Sequence, residues 1–345
     1  MIQYILPAGL SLIISLLIGS ILCKVAIPTL MIDQPNERKI HESPTPKVGG
    51  IIIFGTLLII SLSFRFFINE TYNYYMTLCM AFFLIGLLDD AYDWNYQKKL
   101  KSQFIFVLIF LIIIPNDIST LMFSTISINI PWLNYILLLL WIIGIINAFN
   151  FFDGINYLAG SLAIVFFTSY SMFYFNHQSV IIIVVYLILI SSILGFLFFN
   201  RSPAKMFLGD SGSMFLGFLI ATLPFVLPIN NNVGIDVTYP VIITSILLME
   251  TVYLIFNRIR NKRSPFNPDR THLHHVLIKL NFRNRHVVLI IFVSTILFSI
   301  LAYFSKQLLF YQIVLIEILF FGVVIVMPRL LRLTKQFSLN NEIGK

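Results

Sequence analysis

Residues 80–93 read MAFFLIGLLDDAYD. An apolar run ends in Asp89, Asp90 and Asp93, three carboxylates within five positions. The apolar half lacks the alternation of a half-buried strand and reads as helix. Carboxylates at a helix C-terminus are disfavoured by the helix dipole, and these three also repel one another. If the helix continues, all three lie on neighbouring faces of its last turn. Solvation at a helix end is the plain alternative. The chemical one is a cation-linked acidic cluster in which one carboxylate can take a proton.

The run is not isolated. The chain has 345 residues, 58% hydrophobic and 11% charged, with a mean hydropathy of +0.91. Soluble domains carry about 25% charged residues, so a soluble chain of this composition could not cover its surface. Long apolar runs without period-2 alternation exclude a membrane barrel and indicate an all-α, polytopic integral membrane protein. The first run, ILPAGLSLIISLLIGSIL, has no basic residue before it and no small-residue cleavage site, so it reads as a retained span. Cys23 and Cys79 both lie in apolar runs, where packing is their expected role. The net charge of +8 is explained by basic cytoplasmic loops and not by nucleic acid.

About eleven spans are expected, near residues 5–29, 49–68, 73–88, 103–116, 131–149, 157–175, 179–199, 213–229, 239–257, 287–304 and 308–328. Loops on one side then hold Arg38, Lys39 and Lys47; Lys98, Lys99 and Lys101; Arg201 and Lys205; Arg258 through Arg285; and Arg329, Arg332 and Lys335. The other side holds little beyond Arg65 and Lys306. That asymmetry puts the N-terminus outside and the C-terminus in the cytoplasm. The polar motifs DDAYD, NAFNFFDGIN, NRSPAKMFLGDSGS and SPFNPDRTHLHH all follow spans on the cytoplasmic side, so one site on that face is assembled from several loops.

Each motif has two readings. Asn147, Asn150, Asp153 and Asn156, spaced by three, would form a polar stripe on a helix, either an interhelical hydrogen-bond seam or a ligand site. Asp210 in the Gly-Asp-Ser-Gly turn opens a span: its backbone N–H groups offer a phosphate site, or its side chains simply cap the helix. His272, His274 and His275 stand in a loop with Arg258, Arg260, Arg263 and Arg270, where phosphate binding suits the chemistry better than zinc. Arg38, Lys39 and His41 in the front loop either touch a lipid phosphate or belong to a connector. Acids, amides and cations in such numbers balance around a divalent cation and a polyanion. Oxygen ligands favour Mg²⁺ or Mn²⁺ shared with substrate phosphates. No Walker-type GxxxxGK[ST] is present.

The motifs LLDDAYD, NAFNFFDGIN, FLGDSGS and SPFNPDRTHLHH, with PNERKIHESPTPKVGG before them, resemble those of the polyprenyl-phosphate N-acetylhexosamine-1-phosphate transferases (glycosyltransferase family 4). They cover residues 33–286 in the family's order. The HLHH form is most similar to bacterial UDP-GlcNAc:undecaprenyl-phosphate GlcNAc-1-phosphate transferases; the muramoyl-pentapeptide branch has three consecutive histidines.

The resemblance implies one transmembrane transferase domain over 1–345, in the bacterial inner membrane. It would pass a sugar-1-phosphate, GlcNAc-1-phosphate or that of another UDP-N-acetylhexosamine, to undecaprenyl phosphate and release UMP. That is the first membrane step of a cell-envelope polysaccharide. A homodimer stays open, as does a covalent aspartyl-phosphate route. By the same resemblance Asp89 or Asp90 deprotonates the lipid phosphate, with Asp89 preferred, and Asn150 and Asp210 bind Mg²⁺. Asp153, Asn156, Asn200 and Phe207 hold the uridine, and Lys99 lies near the diphosphate. His272, His274 and His275, with Arg258 or Arg260, serve the sugar-phosphate end. Glu250 falls where the ninth span of these enzymes often has an acid. One departure stands out: bacterial members usually read DGxDG where this chain has DGINY, so Asn156 and Tyr157 replace Asp and Gly. A membrane transporter is the rival of a different class; it would place acids at midplane within an internal repeat, and neither feature is evident here.

Overall fold

The computed structural model describes residues 2–25, 31–34, 44–64, 70–113, 118–175, 180–226, 235–262 and 272–332. Arg38, Lys39, His41, Arg65, Arg263, Arg270 and Lys335 lie outside the described residues. The chain divides into two compact units: residues 1–121 with 128–235, and residues 122–127 with 236–345.

The first unit is built from α1 (Ile2–Leu22), α2 (Gly49–Ser63), α3 (Glu70–Tyr92), α4 (Tyr96–Ile113), α5 (Pro131–Phe151), α6 (Leu158–Phe175), α7 (Val180–Asn200) and α8 (Gly209–Val226). Strands β1 (Ile32–Asp33) and β2 (Thr45–Pro46) pair antiparallel, Ile32 opposite Pro46 and Asp33 opposite Thr45. Three further short strands are described: β3 (Leu121–Phe123), β4 (Ile126–Ile128) and β5 (Ile235–Asp236).

Helix α8 is the core of this unit. Every residue of it is buried except Asp210, and α2, α3, α5 and α6 pack around it. Aromatic rings fill one side, with Phe82 stacked on Phe218 at 4.2 Å and Phe54 meeting Phe215 edge-on at 5.3 Å. Small residues allow close approach elsewhere: a Cβ on Gly217 would lie 2.9 Å from the Cα of Ile146 on α5. Polar side chains are satisfied across the helices. The Tyr75 hydroxyl bonds that of Thr222 at 2.9 Å, and the Trp141 indole donates to the Ala221 carbonyl at 3.1 Å. On the far side, Ser11 and Ser15 of α1 donate to the carbonyls of Ile188 and Ser192 on α7. Cys79 is buried, as packing requires, whereas Cys23 is exposed just past α1.

The second unit holds α9 (Thr238–Ile243), α10 (Ser245–Arg260), α11 (Leu273–Lys279), α12 (Asn284–Phe304) and α13 (Phe310–Phe320), the last continued by π-helical turns over Phe321–Val326.

Among the described residues, seven helices are long and apolar enough to cross a membrane: Tyr4–Leu22, Glu70–Tyr92, Pro131–Phe151, Ile182–Asn200, Gly209–Val226, Asn284–Gln307 and Phe310–Arg332. Gly49–Ser63 and Leu158–Phe173 are shorter apolar helices. The expected spans at 103–116 and 239–257 differ from this set. The former is the apolar part of α4, whose first turns carry Lys98, Lys99 and Lys101. The latter is two helices, α9 and α10, separated at Thr244.

Candidate active site

The carboxylates that end α3 do not act as one face. Asp93 lies beyond the helix at φ +48°, exposed, with its N–H donating to the Asp89 carbonyl at 2.8 Å. The condition for all three carboxylates to share the last turn, a helix running on through Asp93, is not met: the left-handed residue ends it. Asp89 Oδ1 then accepts the Trp94 N–H at 2.9 Å, and Asn95 Oδ1 accepts the Lys98 N–H at 2.9 Å, starting α4 after a three-residue link. This tight reversal returns Lys99 to α3. Its ammonium pairs with Asp89 Oδ2 at 2.8 Å and bonds Asp210 Oδ1 directly.

Asp90 has a different task. Its two oxygens accept the backbone N–H groups of Asp210 and Ser211, each at 2.9 Å, and its carboxylate has no solvent exposure. The Gly209 N–H in turn donates to Asp153. The amides of this helix N-terminus, read from the sequence either as a phosphate site or as capped by the helix's own side chains, are bound by the carboxylates of Asp90 and Asp153, an arrangement favoured by the dipole. Gly209 makes this fit possible: it sits at φ +76°, and a Cβ there would come within 2.7 Å of Asp90 Oδ2.

With its backbone held this way, Asp210 turns its carboxylate toward Lys99 and Asn150. The Asn150 amide donates to Asp210 Oδ1 at 2.5 Å and to the Ser213 hydroxyl at 2.7 Å. The Asp210 side chain is 26% exposed, more open to a ligand than Asp89 or Asp90. One turn earlier, Asn147 donates to Gln103 at 2.7 Å, a seam between α5 and α4. The polar stripe expected over 147–156 is shorter than its spacing implied. Helix α5 stops at Phe151, so Asn147 and Asn150 share a helical face while Asp153 and Asn156 lie in the following turn.

Asn200, expected near the uridine, has a structural task in the loops around the site. Its oxygen accepts the Tyr157 N–H at 2.8 Å and its amide donates to the Met206 carbonyl at 3.0 Å. It ties the 152–157 turn, where Tyr157 has φ +72°, to the loop before α8. Phe207 in that loop is half-buried, and Asn156 is half-buried in its turn. Lys47, counted above only for charge distribution, stands 3.8 Å from Asp90. The glycine pair that follows it, signalling close backbone approach, was the cue to its position.

Among the described residues, the carboxylates of Asp89, Asp90, Asp153 and Asp210 outnumber the cations beside them, Lys99 and Lys47. Burial and the negative neighbours Asp210 and Asp90 push the Asp153 carboxyl well above the usual carboxylate range. No group of three His, Cys, Asp or Glu residues forms a ready metal cage among the described residues. Asp210 and Asn150 nevertheless suit a hard divalent cation of the Mg²⁺ type, which takes one or two protein oxygens and completes its shell with water and substrate phosphates. As placed, Asn150 turns its nitrogen to Asp210, matching a carboxylate; turning the amide over would offer its oxygen to a cation instead.

The histidines belong to the second unit. His272 precedes α11, and the rings of His272, His274 and His275 gather with centroids 4.2–6.5 Å apart. Burial, with His275 and His272 beside it, holds His274 well below the usual 6.5, so its ring is neutral at pH 7. Arg258 is buried and Arg260 exposed, so the two do not share an environment. Glu250 is buried; it accepts the Leu273 N–H at 2.7 Å and pairs with Arg329 at 2.8 Å, fixing the start of α11.

Fold and site together define a helical protein of membrane-type composition whose polar centre is an acidic cluster bridged by a lysine. The chain belongs to glycosyl transferase family 4: the family model matches residues 72–227, the stretch that holds the cluster from Asp89 to Asp210, and relatives align over most of the chain. It is 31% identical over 308 residues, 89% of this chain and 86% of the relative, to a Bacillus subtilis protein named a probable undecaprenyl-phosphate N-acetylglucosaminyl 1-phosphate transferase. An undecaprenyl-phosphate alpha-N-acetylglucosaminyl 1-phosphate transferase of Thermotoga maritima is 30% identical over 90% of this chain and 94% of its own length. The protein of that name from Escherichia coli K12 is 30% identical over 80% of this chain and 77% of its own.

Proposed function

We propose that the chain transfers GlcNAc-1-phosphate from UDP-GlcNAc to undecaprenyl phosphate, giving the lipid-diphosphate-sugar and UMP at the start of a cell-envelope polysaccharide. The observation that carries this reading is the Lys99 ammonium held between Asp89 and Asp210, with Asn150 on the same Asp210 oxygen, in a chain whose relatives bear the name of that activity. In this reading the protein lies in the bacterial inner membrane with about eleven crossings and its motif loops cytoplasmic.

The reaction exchanges one P–O bond for another. A lipid-phosphate oxygen bonds to the sugar-linked phosphorus, the anhydride bond breaks, and UMP leaves with the electron pair. Substrate phosphates compete for the Lys99 ammonium, which then neutralises phosphoryl oxygens and releases Asp89 Oδ2 to take the proton of the lipid phosphate. Asp90 holds the start of α8 in place, so Asp210 keeps its direction. Asp210 and Asn150 would hold Mg²⁺ or Mn²⁺, which when bound neutralises charge on the diphosphate. Phe207, Asp153 and Asn156 would take the uridine from the turns that Asn200 ties together.

The test mixes purified protein, UDP-GlcNAc, undecaprenyl phosphate and Mg²⁺ and measures UMP. No UMP with any UDP-N-acetylhexosamine rejects the reading. Asp89→Asn and Asp210→Asn should each lower turnover by about 100-fold or more; turnover surviving both shows that the roles are misassigned.

A further inference from the structure

Lys47 has no role in the mechanism above, yet its backbone is built into the site. Its N–H donates to the Met31 carbonyl at 2.8 Å, and it forms a parallel bridge with Phe207. The Phe207 N–H donates to the Pro46 carbonyl at 2.9 Å, and the Gly49 N–H donates to the Phe207 carbonyl at 2.8 Å. This clamp sets the Lys47 Cβ against the turn that opens α8, 3.1 Å from where a Gly209 Cβ would stand.

From there the ammonium faces carboxylates without closing on any of those seen. It lies 3.9 Å from Asp33 Oδ1 and 3.8 Å from Asp90 Oδ1, both beyond hydrogen-bond contact. The Asp90 oxygens already accept two backbone N–H groups. Lys99 is the contrast: it bonds Asp89 and Asp210 directly and its side chain is 15% exposed, against 25% for Lys47. Lys47 is thus ion-paired with Asp33 and Asp90 but hydrogen-bonded to neither. A lysine held just short of its carboxylates, and open to solvent, has donors to give to an anion.

We propose that Lys47 is a further cation of this site, beside Lys99, and binds a phosphoryl oxygen of a substrate. The inference rests on the proposed transferase reading and names a residue that reading leaves unused. The shared chemistry is a phosphate monoester or diphosphate, and two sources could supply it: the polyprenyl phosphate or the UDP-sugar.

The first experiment uses the full-length wild-type protein, so no variant has to fold. Amine acylation followed by mass spectrometry measures labelling of Lys47, with the exposed Lys101 as internal control. Separate arms contain undecaprenyl phosphate, UDP-GlcNAc with Mg²⁺, or inorganic pyrophosphate. Labelling of Lys47 should fall several-fold in at least one arm while Lys101 is unchanged. Protection by the lipid alone assigns the lipid phosphate; protection by UDP-GlcNAc and pyrophosphate assigns the diphosphate. No protection in any arm overturns the proposal. Protection by pyrophosphate in a protein that releases no UMP would sink the transferase reading and leave Lys47 as a phosphate ligand.

The second experiment is kinetic. Lys47→Gln should raise KM for the protecting substrate about tenfold or more, with kcat little changed, and Lys47→Arg should recover most of the loss. A fall in kcat with both KM values unmoved would mean that Lys47 acts through Asp90, and the proposal fails.

Discussion

At Gly86, one turn before Asp90, α3 packs directly against the backbone at the start of α8, and Gly86→Ala tests whether that contact sets the site. A Cβ at residue 86 would stand 2.3 Å from the Asp210 carbonyl oxygen and 2.5 Å from both its carbonyl carbon and the Ser211 Cα. Ordinary contact begins near 3.4 Å, so the helices must part by about 1 Å. The atoms in the way are backbone and cannot swing aside. Within α3 alone, alanine would stabilise by about 1 kcal/mol. Overpacking costs about 1–3 kcal/mol. A shift of that size also stretches the 2.9 Å bonds from Asp90 to the Asp210 and Ser211 amides, worth about 1–2 kcal/mol each. The net sign is destabilising, and a misplacement near 1 Å should cost about 100-fold in turnover. Gly144→Ala in α5 is the matched control, because nothing lies within 4 Å of its added methyl. UMP release and thermal unfolding in detergent would be measured for both. Gly86→Ala with wild-type turnover and a melting temperature at or above that of Gly144→Ala would refute the reasoning.

Two further outcomes concern the second unit. Glu250→Gln leaves the buried Arg329 guanidinium without its carboxylate and should destabilise this unit by about 3–5 kcal/mol. Amide exchange at Leu273 and through α11 should accelerate, and adding Arg329→Met should recover part of the loss; unchanged exchange would count against the anchoring role. His274, held neutral by burial and by His275 and His272, binds fewer protons folded than unfolded once the pH drops below 6.5. Its contribution to stability is therefore level above that pH and falls as acid is added toward its folded pKa. His274→Asn should flatten that acid limb of the unfolding curve, and an identical limb in the variant would show that another group titrates.

The class of protein was legible without coordinates, because hydropathy acts on each segment separately. A run such as MAFFLIGLL must satisfy its backbone internally wherever it is apolar on all sides, and that makes it a helix. The motifs were legible for a related reason: carboxylates and amides at the edges of such runs cost free energy unless something pairs with them. Spacing also had limits that the residues themselves explain. Asp93 and Asp153 match a helical repeat on paper, but each falls one or two residues past the last helical turn.

What spacing could not decide was the division of labour among like residues. Asp89 and Asp90 are neighbours in sequence, yet one bonds Lys99 and the other bonds amides 120 and 121 positions away. Their separate roles depend on α8 arriving within reach of α3, which Gly86 and Gly209 permit by having no Cβ where a carbonyl and a carboxylate must pass. Apart from the glycine pair after it, nothing in the sequence marked Lys47 as a site residue, because its place beside Gly209 is set by a bridge to Phe207. Local pattern determined which segments are apolar helices and which residues needed partners. Only packing, through contacts far apart in the chain, chose the partners.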